Sequence, residues 1–172
     1  MDTKQYLKEF ENFLEQEAEQ DDSLVIDYEQ EKKEWLTRID EFYTKIQEFV
    51  GDYLKQGKIT QEWKTIQLQE DYFGEYDVKQ LMLKVGKKRL IFKPVGRFII
   101  GCNGRIDLNS ELGTLRFVLV PQNLDEHETF FLSNIDSKTE WCWKIVTAPP
   151  RVNYLELTEQ SFFEALMEIA NA

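Results

Sequence analysis

Apolar positions along the chain follow two different periods. Tyr6, Leu7, Phe10, Phe13 and Leu14 recur at helical spacing with acids opposite, which predicts a helix over residues 3–19. The run "EQEAEQDDS" then dilutes the pattern and reads as a solvated helix end. A second helix is predicted from about Tyr28 to Lys55, some 42 Å at 1.5 Å per residue. Tyr28, Trp35, Phe42 and Phe49 repeat every seven residues, and Ile39, Ile46 and Tyr53 fill the alternate steps. Leu36, Tyr43 and Val50 widen the stripe beyond a coiled-coil seam, so the helix is expected to lie on a broad core, a dimer seam being the alternative. Asp27 is the expected N-cap, with Gln30 as its capping-box partner, and Gly57 the expected stop.

From Trp63 onward the period drops to two. "KTIQLQ", "VKQLMLKV", "RLIFK", "RFII", "RIDL", "LRFVLV" and "EWCWKIV" have strand character. Short glycine-bearing links, including a type I turn at Lys93-Pro94-Val95-Gly96, predict antiparallel neighbours. "TFFLS" in the long connection after Pro121 is a candidate edge strand. Trp141 and Trp143 share a face with Ile145, most simply a core face. Two prolines keep "TAPPRVNYLEL" extended. The final helix is expected after Thr158 as N-cap, with Leu157 and Phe162 as a hydrophobic staple and Phe162, Leu166 and Ile169 facing the core. The fold class is α+β: an N-terminal helical pair, an antiparallel β-meander of about six to seven strands and a C-terminal helix packed on the sheet. A single domain over 1–172 is expected, helical over 1–57, sheet over 62–157 and helical over 158–171.

"FIIGCNGRIDL", Phe98 to Leu108, mixes the residue types of a catalytic loop with those of a hairpin. A two-residue Asn103-Gly104 turn would pair Ile99 with Leu108 and put Arg105 on the face of Phe98. A three-residue Cys102-Asn103-Gly104 tip pairs Phe98 with Leu108 instead. It gathers Phe98, Ile100, Ile106 and Leu108 inward and Arg97, Arg105 and Asp107 on the opposite face. The second register matches the apolar pattern better.

Charge adds a further constraint. The net charge of −11 divides into −9 over residues 1–56, +4 over 57–121 and −6 over 122–172. Such a chain is drawn to basic partners and repelled overall by nucleic acid and anionic membranes. Eight bases and no acid between Lys79 and Arg105 are the one feature pointing toward single-stranded nucleic acid, against the overall charge. No apolar run spans a bilayer and no basic-then-apolar leader is present, so no membrane segment or secretory signal is expected. Two distant cysteines, Cys102 and Cys142, fit a reducing cytoplasm better than a disulfide scaffold.

Catalytic chemistry finds little footing. Cys102 would need an activating base, and the one histidine, His127, has no sequence reason to lie beside it. "DEHE" lacks a metal-ligand spacing, and no glycine loop sits between a strand and a helix. No catalytic residue, metal or cofactor is expected. The leading reading is a non-enzymatic cytoplasmic protein-interaction module, monomer or homodimer, for a basic protein partner. An inhibitor or immunity-type protein is its concrete form. The alternative is an enzyme or small-ligand binder using Arg97, Arg105, Asp107 and Cys102.

Overall fold

A computed structural model describes residues 3–23, 27–99, 102–123, 139–147 and 152–171. Among the described residues three helices and seven strands run in the order α1 (Thr3–Ser23), α2 (Tyr28–Lys55), β1 (Ile59–Glu70), β2 (Gly74–Val85), β3 (Lys88–Gly96), β4 (Arg105–Ser110), β5 (Gly113–Pro121), β6 (Trp141–Val146), β7 (Tyr154–Glu156) and α3 (Glu159–Ala170). The strands form one antiparallel sheet in sequential order, so each pairs only with its chain neighbours. Among the described residues no helix is long and apolar enough to cross a membrane. His127, the "DEHE" run, "TFFLS", Ile100 and Gly101 lie outside the described residues.

α2 lies across one face of the sheet and buries the stripe its spacing predicts. Trp35, Ile39, Phe42, Tyr43, Ile46 and Val50 are all in the core. That burial against the sheet rules out the seam as a dimer contact. Phe42 is the hub, with Phe117 at 4.9 Å, Trp143 at 5.1 Å and Phe92 at 6.0 Å between ring centroids. Trp143 satisfies its indole N–H on the Arg38 carbonyl at 3.1 Å, so a large polar-tipped ring is buried without an orphan donor. Asp27 accepts the Gln30 amide at 3.2 Å as N-cap. α3 covers the same face through Phe162 and Ala165, and its Thr158 N-cap forms a capping box with Ser161. On the other face a small second cluster forms from Cys102, Val118 and Val120, with Ile99, Val146 and Tyr154 against it.

The side-chain alternation of β2 slips between the buried pairs Tyr76/Val78 and Leu81/Leu83. There the Lys79 carbonyl accepts the Tyr43 hydroxyl at 2.6 Å. Burial pushes the Tyr43 phenol well above its ordinary value of 10.0. A raised folded-state value means the neutral phenol is the form the fold holds. Its stabilising contribution is therefore complete below pH 10 and is lost as alkali ionises the unfolded chain first. Stability is expected to fall steadily above about pH 10. Phenolate absorbance and circular dichroism followed together check this: Tyr43 ionises with unfolding, not before it.

The stretch Phe98–Leu108 departs from the expected hairpin. β4 pairs with residues 90–96, matching Phe92 with Leu108 and Pro94 with Ile106, then skipping Val95 to match Gly96 with Arg105. Lys93–Gly96 is thus strand, not turn. Pro94 is tolerated because β2 pairs with β3 only as far as Phe92, so no β2 carbonyl needs a proline N–H there. The extra residue is a β-bulge, which bends the strand and re-aims the residues after it. Ile106 and Leu108 are inward, as the pattern predicts, and Phe98 is 41% exposed instead. Arg97 to Ile99 form no named strand; an isolated bridge joins Ile99 to Cys102.

Candidate functional site

The bulge sends Arg97 away from Arg105 and Asp107, toward the first turns of α2. Its side chain is 1% exposed. Nη2 reaches Glu31 Oε2 at 3.0 Å and Glu34 Oε2 at 3.5 Å, Nε donates to Glu31 at 3.3 Å, and Nη1 donates to the Asn103 carbonyl at 3.1 Å. Glu31 and Glu34 stand three apart on one helical face, so a single guanidinium spans both.

Glu70, at the end of β1, completes the frame. Its Oε1 accepts the amides of Arg97 at 2.8 Å and Phe98 at 3.1 Å, and its Oε2 accepts the Tyr76 hydroxyl. Tyr76 in turn accepts the Trp35 indole N–H at 3.0 Å, and Lys32 lies 5.6 Å over its ring. Burial first, and the Glu70 carboxylate second, push the Tyr76 phenol up, so it stays a donor to Glu70. One continuous network therefore runs from α2 through β2 and β1 to the backbone just after the bulge.

The frame holds an apolar surface outward. Tyr28 of α2 stacks on Tyr72 of the β1–β2 turn at 4.9 Å, and Phe98 meets Tyr72 at 5.2 Å and Tyr28 at 6.2 Å. Phe73 supports Phe98 from within at 4.9 Å. Tyr72 is 58% and Phe98 41% exposed. Exposed carboxylates adjoin the trio in sequence: Asp27 and Glu29 flank Tyr28, and Asp71 precedes Tyr72. Three elements thus contribute one half-exposed aromatic patch with acids beside it.

The four residues named from sequence do not come together around one site. Arg105 is clamped by Asp107, through Nε to Oδ1 and Nη2 to Oδ2, both at 2.7 Å. That hydrogen-bonded pairing raises the Arg105 pKa further above its ordinary range. Cys102 is buried on the outer sheet face, and burial pushes its thiol up, away from the thiolate a nucleophile needs. Cys102 and Arg105 line a groove of about 500 Å³ with Ile99, Arg116, Val118 and Tyr154, while Arg97 lies elsewhere. The basic strands are interrupted too, since Arg97 is buried and Arg105 is paired. Lys84, Lys87, Lys88 and Arg89 remain exposed around the β2–β3 turn, where Glu111 accepts the Arg89 amide at 3.0 Å.

The aromatic patch escapes a reading of the sequence. Tyr28 belongs by spacing to the core stripe of α2 and Phe98 by alternation to an inward hairpin face; Tyr72 carries the one local signal, a large ring at a turn beside Gly74. No protein-family model, no curated protein and no solved structure matches the chain.

Proposed function

We propose that this chain is a non-enzymatic interaction module whose Tyr28–Tyr72–Phe98 patch docks a basic protein partner. One observation carries the reading: an ion-pair and hydrogen-bond network anchored on the buried Arg97 presents large aromatic rings outward. Burying those rings inward would be the ordinary use of such side chains, whereas a rigid, partly exposed trio loses little entropy when a partner covers it. Tyrosine is over-represented among residues that dominate binding energy. The adjoining carboxylates favour lysine and arginine on the partner, and the ring faces accept arginine by cation–π contact. A small inhibitor of a basic enzyme fits this combination of size and charge by analogy.

The test starts with a photo-reactive residue in place of Tyr72, used to capture the partner in cells, followed by affinity measurements on the purified pair. The captured protein is expected to be basic. Tyr72→Ala and Phe98→Ala are each expected to weaken binding about tenfold, or about 1.4 kcal/mol. Both variants should melt close to the parent, because these rings are half exposed. Lys87→Ala, on the distant basic turn, should leave affinity unchanged. Binding that survives both aromatic substitutions refutes the assignment.

A further inference from the structure

α1 presents a second apolar surface, separate from the patch. Tyr6, Leu7, Phe10, Phe13 and Leu14 share one stripe and are all 50–60% exposed. In proteins, helices draw most of their stability from packing an apolar face and little from propensity alone. The stripe therefore calls for a covering surface. Five large side chains offer about 500 Å² per helix, so a symmetric pair covers about 1,000 Å², the lower edge of specific association.

Charge selects the covering surface. Residues 3–10 of α1 carry Lys4, Lys8 and one acid, Glu9. Residues 11–23 carry six acids, Glu11, Glu15, Glu17, Glu19, Asp21 and Asp22, and no base. A parallel pair would set acid end on acid end. An antiparallel pair sets each lysine end beside the acid end opposite, while the stripes meet in the middle. We propose that α1 pairs antiparallel with α1 of a second copy of this chain. The symmetry is two-fold, the same stripe serving both copies.

Sedimentation equilibrium of the full chain tests this between about 1 and 200 µM, the range a small interface implies. A reversible monomer–dimer equilibrium is expected. Phe10→Glu with Leu14→Glu should weaken it at least tenfold and leave near-ultraviolet dichroism intact, because the buried rings of Trp35 and Trp143 lie outside α1. Zero-length carboxylate–amine cross-linking of mixed isotope-labelled copies reads the polarity. Lys4 or Lys8 should join Glu11 or Glu15 of the other copy, and the mixed labels separate those links from links within one helix. A monomer at every concentration overturns the proposal, whether α1 then folds on its own core or serves another protein. So does a dimer indifferent to the two glutamates, or one lacking lysine–acid links between copies. Loss of the dimer leaves the docking patch untouched, so the two proposals fail independently.

Discussion

Gly104→Ala is expected to destabilise the protein by about 3 kcal/mol or more, lowering the melting temperature by roughly 6–12 °C. Two effects combine at this position. Gly104 has φ +147°, a conformation that strains any residue bearing a Cβ. A Cβ there would also lie 2.9 Å from Trp35 Cε3 and 3.1 Å from Cη2. Trp35 is wholly buried and its indole nitrogen is bonded to Tyr76, so the ring has nowhere to go. Nor does the loop: the Asn103 amide donates to the Leu119 carbonyl at 2.8 Å, and the Gly104 carbonyl accepts the Leu119 amide at 2.9 Å. Urea unfolding of the variant measures the effect, and a change under about 0.5 kcal/mol would contradict this packing.

Arg97→Met ranks second, at about 2–3 kcal/mol. Methionine keeps the apolar stem of the side chain but removes every donor of the guanidinium. Glu31 then loses its counter-ion, Glu34 keeps only Arg38 at 3.9 Å, and the Asn103 carbonyl loses its partner. Breaking a fully buried pair costs about 3–5 kcal/mol. Both glutamates here are about one-third exposed, so water offsets part of that cost and the lower range applies. The double variant Arg97→Met/Glu31→Gln should be more stable than the sum of the single losses predicts, because one stranded carboxylate is gone. Equal additivity in a double-mutant cycle would show that Arg97 does not act through Glu31.

Much of the fold is legible because it is written in short-range periodicity. The seven-residue repeat from Tyr28 to Phe49 locates α2, and Asp27 and Thr158 mark two helix starts. Alternation from Leu115 to Val120 and from Trp141 to Val146 locates β5 and β6. Turn chemistry misleads at Pro94. A proline with a glycine two residues on also suits a bulge at the end of a strand that has lost one neighbour, and pairing distance along the sheet is invisible to a local window. The error propagates: with Lys93–Gly96 taken for a turn, Arg97–Ile100 reads as a strand and Phe98 as an inward side chain.

The candidate site is less legible for a related reason. Arg97 pairs with Glu31, 66 positions away, and Glu70 reaches Arg97 and Phe98 across 27 and 28 positions. Each aromatic ring of the patch comes from a different element, and nothing local distinguishes a part-buried Tyr28 from the fully buried rings that continue its stripe. Arg105 and Asp107, two apart on one strand, are the exception. Their contact is readable in sequence because strand geometry alone brings them together.

The central claim is that the Glu70 and Arg97 network holds Phe98 in a fixed outward position. Hydrogen exchange at the Phe98 amide in the isolated chain tests it most directly. That amide sits in a connection between strands beneath an exposed side chain, yet Glu70 accepts it at 3.1 Å. Exchange that occurs only with global unfolding, and that accelerates at least tenfold in Glu70→Ala after correction for the loss of overall stability, is the predicted result. Exchange in the parent at the rate of an unprotected loop would contradict it.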